Sequence, residues 1–265
     1  MGVEFDLVLA TGAGIIGILV GLTGVGAGAL MTPILIFFGG FPPAVAIATD
    51  LLYASITKLV GGVAYLRHGN VDWRLLRPLW IGGLGGSFVG VFLVFTVIDR
   101  PFGARFLQLA LASIVVIAAL ALFRRNFRST TASITPRRLR DGNKAGLAFG
   151  GSAGIGFVMS LTSVGAGALG MALLSKISGK NASPRSLVGT DLLFAVPLAL
   201  ISGASYLYGG LVNINLLANL LIGSIPGVLL GSLLARKTSP RKLQIAVSFA
   251  LILAAILMAH GALTG

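Results

Sequence analysis

Leu22-Thr23-Gly24-Val25-Gly26-Ala27-Gly28-Ala29-Leu30 returns 139 residues later as Leu161-Thr162-Ser163-Val164-Gly165-Ala166-Gly167-Ala168-Leu169, changed only where Ser163 replaces Gly24. Both copies sit inside long apolar stretches, where each glycine costs a helix about 1 kcal/mol relative to alanine. Three glycines within five residues in the first copy, and two within three in the second, therefore mark a deliberate break in the helix. The expectation is that each copy is the tip of a re-entrant hairpin near the middle of a bilayer, and that the two tips together form an anion site.

Working outward, the 265-residue chain is 56% hydrophobic and 10% charged, with a mean hydropathy of +0.98, which reads as a polytopic membrane protein. Apolar segments fall near 7–20, 29–38, 44–65, 75–98, 106–123, 145–159, 168–177, 187–207, 216–235 and 243–259. A helix needs about 20 apolar residues to span the hydrocarbon, so the second and seventh segments are too short to cross. Pro42-Pro43, Ser183-Pro184 and Ser239-Pro240 open the third, eighth and last segments as helix starts. The N-terminus carries Glu4 and Asp6 before its first apolar run and lacks the basic region of a cleavable signal peptide, so that run is expected to stay in the mature protein. There are no cysteines, which excludes disulfides and thiolate metal ligands; His68 and His260 lie far apart at segment ends and read as interfacial residues. No metal or cofactor is expected.

The repeat extends past the tips. At an offset of 141, Thr49-Asp50-Leu51-Leu52-Tyr53-Ala54 matches Thr190-Asp191-Leu192-Leu193-Phe194-Ala195, and Gly82, Gly86 and Gly90 match Gly223, Gly227 and Gly231. The chain thus divides into an N-terminal repeat at 1–123, a basic linker at 124–144 and a C-terminal repeat at 145–265. The stripe Gly82-x-x-x-Gly86-x-x-x-Gly90 reads as close helix packing. The tips fit no nucleotide-binding loop, since no strand precedes them and the Walker lysine is absent.

Charge decides the topology. If every glycine stretch were crossed straight through, the loop lysines and arginines would divide 10 against 9. If each stretch instead turns the chain back, 17 fall on one side and 2 on the other, which is the bias expected of a cytoplasmic face. The expected fold is all-α: two inverted-topology repeats, each a re-entrant helical hairpin followed by three transmembrane helices, with both termini outside. A net charge of +13 is thereby assigned to the membrane rather than to nucleic acid.

Inverted repeats with interrupted helices place their substrate at the midplane. Helices starting at the tips direct free N–H groups and positive dipole ends inward. Thr23, Thr162 and Ser163 add hydroxyls, and glycine permits close backbone approach. The candidate anion site comprises Thr23, Gly24, Gly26, Gly28, Thr49, Thr162, Ser163, Gly165, Gly167 and Thr190. Three ionisable residues, Asp50, Lys58 and Asp191, fall deep inside apolar segments and are functional candidates by default. Lys58 has Ala199 as its counterpart. One reading pairs Lys58 with Asp50 and lets Asp191 carry a coupled proton; another has both aspartates accept hydrogen bonds that lock the tips.

With these motifs and Gly69-Asn70-Val71-Asp72-Trp73-Arg74, the whole chain resembles the TauE/SafE family of sulfite exporters. The resemblance implies a secondary transporter that moves small sulfur-containing oxyanions, sulfite or organosulfonate-like, across the bacterial inner membrane, with protons as a candidate co-substrate and the tip residues as the substrate region. It departs from the family's usual pattern at Asp50 and Asp191, where a small neutral polar residue is common. A passive anion channel and a non-transporting scaffold are the alternatives. No enzyme is expected, because the two aspartates have no catalytic motif around them.

Overall fold

The computed structural model describes residues 6–23, 28–100, 102–128, 141–165, 167–178 and 183–234. These form nine α-helices and no strand among the described residues: α1 Leu7–Thr23, α2 Gly28–Phe37, α3 Pro43–Arg67, α4 Trp73–Val97, α5 Gly103–Arg128, α6 Asp141–Thr162, α7 Ala168–Ile177, α8 Pro184–Tyr208 and α9 Ile214–Leu234. Gly24, Gly26, the middle of the basic linker and the last expected crossing at 243–259 lie outside the described residues.

Helix lengths follow the apolar runs. α3, α4 and α8 have 25 residues each, about 37 Å at 1.5 Å per residue, enough to cross a hydrocarbon core of about 30 Å. Stretches of α3, α4, α6, α8 and α9 are long and apolar enough to cross. α2 and α7 have only ten residues, about 15 Å, as the short second and seventh segments led one to expect. α6 runs 22 residues, longer than the apolar segment 145–159, because Asp141 to Lys144 add a polar first turn. Its stretch Ala145–Thr162 is itself long enough to cross.

Caps recur at equivalent places. α3 ends on Gly69 with φ +67° and α8 on Gly210 with φ +73°, a left-handed conformation that glycine adopts without penalty. Three residues later in each case Asp72 accepts from the N–H groups of Arg74 and Leu75, and Asn213 from that of Leu216, so each side chain fills a helix-start donor of the next helix. Ser183 does the same for Ser186 at 3.0 Å and starts α8 where the Ser-Pro signal placed it.

Small residues decide which helices meet. A Cβ at Gly82, Gly86 or Gly90 of α4 would strike Ser152, Ala153 or Ser160 of α6, and one at Gly223, Gly227 or Gly231 of α9 would strike the carbonyls of Ala10, Gly14 or Ile18 of α1. The ascending numbers on both sides show parallel pairs. α1 of the first repeat thus lies along α9 of the second, and α6 of the second along α4 of the first. Between these pairs α3 crosses α8: a Cβ at Gly62 would meet Leu193 at 2.9 Å and one at Gly203 would meet Leu52 at 2.8 Å, an antiparallel register. Ile81, Phe88 and Phe92 form an outward stripe on α4, 66–70% exposed; in a bilayer it faces acyl chains.

Candidate functional site

The polar interior is concentrated at the α3–α8 crossing. Thr49, Asp50, Thr57 and Lys58 of α3 and Thr190 and Asp191 of α8 are all buried. The two threonines also hold loops in place. Thr49 Oγ1 accepts from the backbone N–H of Asn213 at 3.1 Å, and Thr190 Oγ1 accepts from that of Asp72 at 2.9 Å. Each loop that caps a following helix is therefore anchored on the central helix of the other repeat.

The aspartates contact the short helices. Thr32 of α2 donates to Asp50 Oδ2 at 2.5 Å, a hydroxyl-to-carboxylate bond of the strong, charge-assisted kind. Asp50 Oδ1 has no hydrogen-bond partner among the described residues. Asp191 lies against α7, where a Cβ at Gly170 would strike its Oδ1. Lys58, the one buried lysine among the described residues, lies within electrostatic reach of both carboxylates. With Gly62 level with Leu193, and Leu52 level with Gly203, Lys58 is displaced from Asp191 by about 9 Å along the helices and from Asp50 by about 12 Å.

Of the second tip, Thr162, Ser163, Gly165 and Gly167 are described and buried. The Thr162 hydroxyl reaches back to the carbonyl of Val158 at 2.7 Å and accepts from Val164 N–H at 3.2 Å, closing the end of α6. Ser163 takes φ +58°, a conformation uncommon for a residue with a Cβ and worth attention where it occurs. Its hydroxyl lies beside the Asp50 carboxylate without completing a hydrogen bond to it. Gly167 at φ +104° and ψ −77° opens α7, a backbone state closed to side chains. In the first tip Thr23 ends α1 and Gly28 begins α2.

Three polar residues join the site that the sequence reading passed over. Thr32 stood as a single hydroxyl in an apolar ten-residue helix, which was its only signal. The hydroxyls of Tyr53 and Ser224 face each other in full burial, neither with a completed hydrogen bond. The marker in sequence was the lone difference between Tyr53-Ala54 and its repeat Phe194-Ala195. A cavity of about 390 Å³ opens where α1 and α9 begin, lined by Asp6, Phe41, Asn213, Asn215 and Asn219 among others. Asn213 links it to Thr49, the neighbour of Asp50. No group of three metal-ligating side chains occurs among the described residues.

The sulfite exporter TauE/SafE family model matches residues 9–258. A probable membrane transporter protein of Bacillus subtilis, YjnA, is 35% identical over 251 residues, covering 93% of this chain and 94% of that protein. A second from the same organism, YdhB, is 27% identical and covers 82% and 85%; one from Xylella fastidiosa is 28% identical and covers 97% and 95%. No solved structure matches.

Proposed function

Since the chain belongs to the sulfite exporter TauE/SafE family of membrane transporters, we propose that it is a secondary transporter for a small sulfur-containing oxyanion, sulfite or organosulfonate-like, in the bacterial inner membrane. The repeats at 1–123 and 145–265 are inverted, the segment 124–144 is cytoplasmic, and both termini lie outside. In each repeat the long first helix and the ten-residue second helix form a re-entrant hairpin whose glycine tip ends in the bundle.

The observation that carries this reading is the meeting of Ser163, from a glycine tip, with Asp50 on the central helix of the other repeat. A break in one repeat faces a buried charge in the other, as in transporters whose site lies between repeats. The parallel α1–α9 and α6–α4 pairs and the antiparallel α3–α8 crossing support two units related by inversion. The start of α7 at the glycine tip, with no side-chain cap, suits an oxyanion, and two carboxylates beside one lysine leave a net negative charge that a cation accompanying the anion offsets. That cation is taken to be a proton.

Sulfite flux into proteoliposomes, with and without an imposed pH gradient, tests the function. Saturable flux that accumulates sulfite against its gradient when the pH gradient is applied is expected. Flux that only equilibrates would make the protein a channel. Sulfite flux undiminished in a folded Gly165→Leu variant would remove the tip from the pathway.

A further inference from the structure

We propose that the second half of α3 carries a site for an anionic phospholipid, with one acyl chain in an apolar groove and the phosphate held by Arg67. The inference goes beyond the transport reading and needs only that α3 crosses a bilayer. A groove of about 420 Å³ runs along α3, lined among the described residues by Leu59, Val60, Val63 and Arg67. These positions fall within a sector of about 100° and along about 12 Å of the helix, so they share one face. Leu59 is 47% exposed, while Lys58 beside it in sequence is buried on the inner side. Arg67 is the last residue of α3, which sets the charged end of the groove at the membrane surface and its apolar part toward the hydrocarbon.

The second repeat shows what packing alone asks of this face. The equivalent residues of α8 are Leu200, Ile201, Ala204 and Tyr208, and all four are exposed. Duplication has kept an apolar outward face on both central helices, but only that of α3 ends on a cation. A tyrosine satisfies the scaffold at that place, so the arginine is there for something else.

The charge around Arg67 selects the headgroup. Its side chain is exposed and has no ion-pair partner among the described residues. Arg74 and Arg77, on the same side of the membrane, are exposed as well. Asp72 is the one carboxylate between 67 and 77, and it accepts from the N–H groups of Arg74 and Leu75. A phosphate diester meets a guanidinium here, a pairing whose geometry suits two parallel hydrogen bonds. The ammonium group of a zwitterionic lipid meets the same positive field and is disfavoured. A small anion could use the arginine but would leave the apolar walls uncovered; an acyl chain joined to the phosphate covers both.

Thermal midpoints of the purified full-length protein in detergent micelles, with phosphatidylglycerol or phosphatidylcholine added, test the site. Phosphatidylglycerol is expected to raise the midpoint more than phosphatidylcholine does. That preference is expected to be lost in Arg67→Gln, partly kept in Arg67→Lys, kept in Arg77→Gln, and lost in Val63→Trp, which fills the groove while leaving the charge. Leu59→Trp fills the same groove if Val63→Trp fails to fold. Equal rises from the two lipids in the wild type overturn the inference, as does a preference that survives Arg67→Gln. A preference lost in Arg67→Gln but untouched by both tryptophan variants reduces the site to surface charge and also overturns it, as does an equal loss in Arg77→Gln. An equal rise from inorganic phosphate in place of the lipid assigns Arg67 to a free anion and overturns it too. Sulfite flux bears on the transport reading alone: its absence from wild-type liposomes, with the lipid preference intact, leaves the site standing.

Discussion

Tyr53 of α3 and Phe194 of α8 hold the same place in the two repeats, yet their surroundings differ in kind. The Phe194 ring lies on Gly83, 2.8 Å from where a Cβ would be, whereas Tyr53 turns a hydroxyl toward Ser224, the residue equivalent to Gly83. The same contrast recurs nearby. Thr32 holds Asp50 where the second repeat has Met171; Lys58 stands where it has Ala199; and Thr57 stands where it has Leu198. Duplication has kept the helix contacts and the glycine stripes equal, while polar groups have gathered around α3 and left α8 more apolar. A symmetric scaffold thus holds an asymmetric interior, and the asymmetry is where a difference between the two ends of a transport cycle can originate.

Moving the lysine tests that contrast most severely. Lys58→Met leaves two buried carboxylates with no buried cation among the described residues, and breaking such an arrangement costs about 3–5 kcal/mol. A large fall in the thermal midpoint and at least a tenfold loss of sulfite flux are expected. Adding Ala199→Lys to Lys58→Ala places the charge on the other repeat; if the two repeats are interchangeable, the double variant recovers flux, and if the asymmetry matters it does not.

Next come the equivalent glycines. Gly86→Leu and Gly227→Leu each drive a side chain into a facing backbone carbonyl, an overpacking cost of about 1–3 kcal/mol or more. The two losses in thermal midpoint should be alike, because here the repeats are alike. A large difference between them would break the equivalence of the two helix pairs.

Smaller and unequal effects are expected at the carboxylates. Thr32→Val removes a hydrogen bond to Asp50, a loss of about 1.5–3 kcal/mol if that carboxylate is charged. Gly170→Ala instead pushes on Asp191 from α7. If proton coupling belongs to Asp50, Thr32→Val shifts the pH profile of flux and Gly170→Ala lowers its rate without moving the profile.

The smallest effect belongs to Tyr53, and its counterpart should differ. Tyr53→Phe removes a hydroxyl that has no completed hydrogen bond, so stability should change by less than about 1 kcal/mol. Phe194→Tyr puts a hydroxyl against Gly83 and Leu198 and should cost about 1–3 kcal/mol as an unsatisfied buried group. Chemical denaturation of both variants, followed by Trp73 and Trp80 fluorescence, measures the inequality.

Much of the scaffold was legible in the residues. The long and short helices followed from lengths of apolar runs, and the glycine stripe of α4 announced a close neighbour, which the structure identifies as α6. Asp50, Lys58 and Asp191 were singled out because ionisable groups in apolar segments are rare. What escaped was information that no single helix contains. A helical wheel turns Lys58 about 80° from Asp50 and shows nothing of α8, and only the antiparallel register of α3 on α8 brings Asp191 within reach of Lys58. Thr49 and Thr190 stand among the candidate site residues, and that they also accept hydrogen bonds from Asn213 and Asp72 depends on where two remote loops come to rest. Thr32 escaped because one hydroxyl in an apolar helix has no partner visible in sequence.

The crossed pairing of α1 with α9 and α6 with α4 also sets an order of events during biogenesis. α1 is among the first helices to leave the ribosome, yet the glycines it packs on lie roughly 200 residues later, on the order of 10–40 s at ordinary rates of synthesis. Until then Gly14, Gly17 and their neighbours have no matching surface, and the loop that will anchor on Thr49 has not been made. The first repeat is therefore a client in waiting: it must be sheltered by lipid or by the insertion machinery until its twin arrives. Either repeat produced alone should be degraded, and the two produced as separate chains should rescue one another.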